Sequence, residues 1–116
     1  MPNQPSEKVK RIWKTVQAVP FGKVASYGQI ADLAGLPGRA RLVGKSLGLA
    51  PHSMQLPWYR ILRSSGQLAF EKGSAQAEKQ KGLLQQEEVV VFNNRVKLRD
   101  FGWQPDLAEM LMKLEY

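Results

Sequence analysis

The sequence predicts a mostly α domain with one small β-hairpin, an α+β fold of winged helix-turn-helix type. Apolar residues recur at helical spacing in several short segments. Two of these segments flank a glycine-containing turn, and an asparagine pair separates two short β-prone runs further on.

Ser6 can cap a helix running to about Ala18, with Glu7 in the first turn where the helix dipole favours negative charge. Val9, Ile12, Trp13 and Val16 fall at i, i+3, i+4 and i+7, a single face that predicts core contact. Lys8, Lys10, Arg11 and Lys14 fill the other faces. Pro20 ends the helix, and Phe21-Gly22-Lys23-Val24 reads as a turn. Ser26-Tyr27-Gly28-Gln29 has the spacing of a capping box, in which Ser and Gln each satisfy a free backbone N–H. The helix it opens carries Tyr27, Ile30, Ala31 and Ala34 on one face and is broken by Gly35-Leu36-Pro37-Gly38.

A third helix is expected from about Arg39 to Leu49, with Leu42, Val43 and Leu47 inward. Its outward positions are Arg41, Gly44, Lys45, Ser46 and Gly48, all small or basic. Two short helices across such a turn suggest helix-turn-helix, although many helical hairpins bind nothing. Each glycine costs a helix about 1 kcal/mol, so an exposed helix has little local reason for two. Close approach of another backbone, such as a narrow DNA groove, explains them; so would tight internal packing, or a helix end at Gly48.

Leu56-Pro57-Trp58-Tyr59-Arg60-Ile61 follows a loop and is expected to be partly extended over residues 58–62. Two aromatics beside an arginine can hold a flat ligand, since rings stack on bases and a guanidinium pairs with phosphate or lies over a ring. The stretch has no thiol, hydroxyl nucleophile, imidazole or carboxylate. Ser64-Ser65-Gly66 predicts a turn. Ser74 opens a helix to about Glu87 with Ala77, Leu83 and Leu84 as its apolar stripe. Residues 89–92 and 95–98, joined by Asn93-Asn94, predict the hairpin, because asparagine tolerates positive φ. Pro105-Asp106 opens a last helix bearing Leu107, Met110, Leu111 and Leu114. Trp13 and Trp103 read as core, and His52, in a loop, has no assigned role.

The 116 residues fit one domain, expected to act as a monomer. No apolar run is long enough to span a bilayer and no signal peptide is recognised, so a cytoplasmic protein is expected, nucleoid-associated in a bacterium. The count of cysteines is zero, which excludes disulfides, thiol nucleophiles and thiolate metal sites. With a single histidine, no metal site and no cofactor are expected. Lys and Arg total 17 against 10 Asp and Glu, a formal charge of +7, and the pI is near 9.9. Such a balance points to a polyanion, nucleic acid first. The basic residues are scattered rather than stacked on one amphipathic helix, which disfavours a membrane surface.

Three patterns now stand in one order: Phe21-Gly22-Lys23-Val24-Ala25-Ser26-Tyr27, Arg41-Leu42-Val43-Gly44 and Pro57-Trp58-Tyr59-Arg60-Ile61. Together they resemble the DNA-binding domain of O6-alkylguanine-DNA alkyltransferases, which reads F-G-x-V-x-S-Y, R-A-V-G and P-C-H-R-V at the same relative spacings. Ser64-Ser65-Gly66 extends the match, and the likeness runs from about Val9 to Glu88. Trp58 stands where that family's alkyl-accepting cysteine belongs. This exchange marks the alkyltransferase-like proteins, which resemble the repair enzymes without transferring anything. The likeness begins close to the start of the chain, so the enzymes' separate N-terminal domain is expected to be missing. Tyr59 stands where histidine is usual, and Glu87 aligns with the carboxylate that completes the enzymes' relay. With no thiol, alkyl transfer is ruled out chemically.

The resemblance implies a sensor of O6-alkylguanine in double-stranded DNA that hands the lesion to nucleotide excision repair proteins. It implies a helix in the minor groove, with Ala40, Arg41, Leu42, Gly44, Lys45 and Ser46 at the DNA. Arg41 matches the finger that fills the gap left by a flipped nucleotide. Tyr27 matches the tyrosine that crowds the 3′ phosphate, and Arg60 and Ser64 are further candidate contacts. The flipped base would lie among Tyr27, Trp58, Tyr59, Ala69, Phe70 and Lys72. Some relatives carry an arginine at about the position of Glu71, for which Lys72 is a candidate substitute. The competing reading is a winged-helix regulator that reads sequence in the major groove; a catalytically dead decoy or interaction module is the third.

Overall fold

The computed structural model describes residues 4–114. Helix α1 spans Glu7–Ala18, and the Ser6 hydroxyl accepts from the Val9 N–H at 3.2 Å. Strand β1 is only Ala25–Ser26, and Ser26 then serves as N-cap of α2, Tyr27–Leu33, accepting from the Gln29 N–H at 3.0 Å. The capping box is half formed. The Gln29 amide does not turn back to Ser26 but donates to the Trp103 carbonyl, 2.8 Å away, because a tertiary acceptor lies within its reach. The α2 C-terminus is closed by Arg11, whose guanidinium donates twice to the Ala34 carbonyl. Gly35 follows at φ +77°, a left-handed turn that favours glycine.

Helix α3 covers Ala40–Leu49 and is followed by two 3-10 turns, His52–Met54 and Trp58–Arg60. The second turn corrects the expected extended run: only β2, Ile61–Leu62, is strand. β2 pairs with β1 in parallel, Ala25 with Ile61 and Ser26 with Leu62. Helix α4 spans Ala75–Gln86 with Ser74 as its cap. Short helices α5, Leu98–Phe101, and α6, Leu107–Lys113, complete the order.

The fold is therefore mostly α with a two-stranded sheet, but the sheet is not the expected hairpin. Asn93 and Asn94 do adopt positive φ, 53° and 60°, and reverse the chain. Phe92 and Arg95 exchange two backbone hydrogen bonds across that turn, and the ladder stops there. The outgoing segment bonds elsewhere: the Val96 N–H reaches the Gly66 carbonyl, the Leu68 N–H reaches the Asn94 carbonyl, and Gln67 bridges Arg95. Leu98, expected in a strand, begins α5.

Side chains alternate across a strand, and here the alternation divides the core in two. Ala25 and Ile61 face one cluster built on α1, α2 and α3, including Ile12, Val16, Ile30, Ala31 and Val43. The flanking Val24 and Leu62 face the second, with Leu68, Leu84, Val89 and Val96. The expected apolar face of α1 is buried, that of α2 is buried at Ile30, Ala31 and Ala34 with Tyr27 half-buried, and Trp13 and Trp103 lie in the core as anticipated. In α4 the buried column is Ala77, Gln80 and Leu84, with Leu83 half-buried beside it. In α6 the expected stripe is mostly outside: Leu107 and Leu111 are exposed, while Met110 and Leu114 are half-buried.

Candidate nucleic-acid interface

The Trp58–Arg60 turn sits directly before β2, so its side chains emerge where the two core clusters meet. A cavity of about 320 Å³ opens there, small among ligand pockets. It is lined by Trp58, by Gly44, Leu47 and Gly48 of α3, by Ala69 and Phe70, and by Tyr27 of α2. The Trp58 indole meets Tyr59 and Phe70 edge to face, with ring centroids 5.9 and 6.2 Å apart. Those contacts suit aromatic quadrupoles and fix the indole plane.

The structure thus brings together Tyr27, Trp58, Ala69 and Phe70 of the expected pocket. The other two are outside the lining. Tyr59 meets the Trp58 ring, but its hydroxyl donates to Glu87 Oε2 at 2.8 Å. Lys72 lines a neighbouring polar depression beyond Phe70 and donates to Asn93 Oδ1 at 2.7 Å. In each case a hydrogen-bond partner on the far side of the loop decides the direction.

Arg60 is likewise not presented to a ligand. It forms a two-pronged ion pair with Glu87, 2.9 Å from Nε to Oε1 and 2.6 Å from Nη2 to Oε2, and Nη1 donates to the Val19 carbonyl at 2.7 Å. With side-chain exposures of 13% and 5%, this pair is structural. Burial alone would raise the Glu87 carboxyl, but hydrogen bonds from Arg60, the Gly22 N–H and Tyr59 more than offset it and hold Glu87 below the usual carboxylate range. Burial, and then the bond to Glu87, pushes the Tyr59 phenol up.

On α3, Arg41, Gly44, Lys45 and Gly48 are exposed as expected, while Ala40 and Leu42 are half-buried. Ser46 is not outside. It is completely buried on the Val43 face, its hydroxyl donating to the Leu42 carbonyl and its own carbonyl accepting from the Trp13 indole at 2.7 Å. Internal packing does not explain the glycines. A Cβ at Gly48 would meet nothing within 4 Å, and one at Gly44 only the Tyr27 ring at 3.8 Å. Gly48 is also inside the helix, with Ala50 as its cap. No side chain caps the N-terminus of α3, whose first residues line a depression between Gly38 and Lys45. Burial pushes the Tyr27 phenol up, and the Arg63 charge, close enough to be felt, partly offsets it.

Three residues at the site escape the sequence patterns. Gln80, completely buried, donates to the Tyr59 and Ile61 carbonyls and accepts from the Ala69 N–H, tying the segment after Trp58 and the Ala69 segment to α4. Its place between Ala77 and Leu84 on one helical face is the signal that could have found it. Asn94 donates to the Phe70 carbonyl at 3.0 Å and so holds the aromatic wall. Arg63 is exposed beside Ser64, also exposed, and extends the basic edge toward Tyr27.

Residues 7–89 match the family described as 6-O-methylguanine DNA methyltransferase, DNA binding domain. A DNA base-flipping protein of Vibrio parahaemolyticus is 40% identical over 96 residues, covering 82% of this chain and 94% of the relative. Alkyltransferase-like protein 1 of Schizosaccharomyces pombe is 30% identical, with 82% and 93% covered. The crystal structure of the S. pombe protein with damaged DNA containing O6-carboxymethylguanine superimposes with a TM-score of 0.78 at 29% identity, over 88% of this chain and 99% of that one. Having no cysteine, the chain cannot perform the enzymes' transfer to a thiol. It belongs to the family of 6-O-methylguanine DNA methyltransferase DNA-binding domains, as a non-enzymatic, alkyltransferase-like member.

Proposed function

We propose that this protein detects O6-alkylguanine in duplex DNA by binding the minor groove and flipping the damaged nucleotide, and that the complex flags the lesion for nucleotide excision repair. The observation that carries the reading is the cavity on Trp58, bounded by the glycine side of α3 and by Tyr27. Gly44 and Gly48 let a DNA backbone approach the helix, and Arg41, exposed on the same helix, fills the gap the nucleotide leaves. The free N–H groups at the start of α3, with Lys45, Arg63 and Ser64, meet phosphates.

Alkylation at O6 removes the N1 proton and weakens pairing, so a modified base leaves the stack at lower cost than guanine. In the cavity the indole of Trp58, standing at the acceptor's position, packs against the base and its substituent while Phe70 closes the opposite side. No bond forms. The protein acts in the cytoplasm as a monomer, and the stability of the flipped complex is what a repair partner reads.

Affinity for matched duplexes with and without O6-methylguanine, measured by anisotropy at fixed salt, tests this. The modified duplex should bind at least tenfold more tightly. Arg41→Ala should weaken both complexes by about tenfold, whereas Trp58→Ala should mainly narrow the gap between them, stacking being worth about 1–3 kcal/mol. Equal affinity of the unsubstituted protein for the two duplexes would refute the proposal, and selection of a defined sequence from random duplexes would favour a sequence-reading regulator.

A further inference from the structure

A second cavity, of about 310 Å³, shares Leu47, Gly48 and Trp58 with the first. We infer that it is a second compartment for the O6 substituent and that it favours chains ending in an anionic group such as a carboxylate. This rests on the lesion-binding reading above.

The first cavity is lined by no charged side chain. The second contains Lys79, His52 and Gln55 and no carboxylate. Lys79 is exposed and forms no ion pair among the described residues, so its charge is available to the cavity. Its place is fixed: it precedes Gln80, whose three hydrogen bonds tie α4 to the segment after Trp58 and the Ala69 segment. At Gly48 the shared wall is bare backbone, with open space where a Cβ would stand. A long substituent leaving the base along the indole can therefore pass Gly48 and bring its end toward Lys79, with the His52 imidazole and the Gln55 amide as further donors. A small substituent stays in the apolar part and does not sense Lys79.

A DNA phosphate could supply the same anionic chemistry to Lys79, and the experiment separates the two sources. The full chain is titrated with duplexes carrying O6-methylguanine, guanine with a carboxybutyl chain on O6, or guanine with a neutral alkyl chain of equal length. The unsubstituted protein should prefer the carboxylate over the neutral chain by about threefold, the scale of a partly exposed ion pair. Lys79→Ala should abolish that ratio and Lys79→Glu should reverse it, with O6-methylguanine still preferred to guanine in all three proteins. A ratio of one in the unsubstituted protein, or one that survives Lys79→Ala, overturns the second compartment and leaves the lesion reading standing. Equal weakening of every duplex by Lys79→Ala assigns the lysine to phosphate and also overturns it. Loss of discrimination for O6-methylguanine in the unsubstituted protein removes both proposals.

Discussion

Glu87 is the residue on which three neighbours converge: Arg60, Tyr59 and the Gly22 N–H. A carboxyl held below its unfolded value stabilises the fold at neutral pH, and the contribution disappears as the pH falls below about 4. Glu87→Gln should cost about 3 kcal/mol at pH 7, because it leaves the Arg60 guanidinium without its counter-charge. Thermal melts of the two proteins should differ at pH 7 and draw together toward pH 3; a gap independent of pH would contradict the ion-pair account. The sequence marks Arg60 as a candidate DNA contact, whereas the fold commits it to Glu87. The direction of Tyr59 is not legible in the sequence, since it depends on a carboxylate 28 positions away that the fold alone brings within 2.8 Å. The Tyr59 phenol bonds that carboxylate, and with no cysteine in the sequence it serves no thiol.

Among the elements, α3 carries a conflict between its own stability and its proposed role. Gly48 is helical and faces open space, so Gly48→Ala should stabilise the free protein by about 0.5–1 kcal/mol. The same methyl group would stand between the helix and the groove floor, so DNA affinity should fall severalfold. A raised Tm with weakened binding supports the groove reading, and unchanged affinity counts against it. The boundaries of α1, α2 and α4 follow from their serine caps and periodicity, and that of α3 from periodicity and the Gly35-Leu36-Pro37-Gly38 break before it, all local properties. Ser46 shows the limit of such reasoning: a small polar residue reads as outward, yet its position three after Val43 puts it inside, where the Leu42 carbonyl satisfies its hydroxyl. The hairpin shows another. Asn93-Asn94 predicts its own turn correctly, but which strand the outgoing chain pairs with is decided by the Gly66 to Leu68 segment, far away in sequence.

For the molecule as a whole, a formal charge of +7 makes association with DNA sensitive to ions. If Lys45, Arg63 and Arg41 each displace a counterion, log affinity should fall against log salt with a slope of about −3. Arg63→Ala should reduce that slope by about one while leaving the preference for the modified base intact. A slope near zero would deny the phosphate contacts. The division of the core was not legible, because it is produced by strands of two residues each, too short to leave a pattern. Those strands also have a kinetic consequence. Residues 25 and 61 are joined side by side, and the chain between them contains α2, α3 and the Trp58 turn. Helix α3 thus sits within a loop closed by a non-local seam, whose closure entropy must be met before the parallel pairing forms. The helices can gather early, but the Trp58 cavity, lined from both sides of the β1–β2 pairing, is complete only after the seam has closed. If the cavity holds the damaged base as proposed, recognition is a property of the completed fold, and a nascent or partly opened chain would bear the same positive charge while being blind to damage.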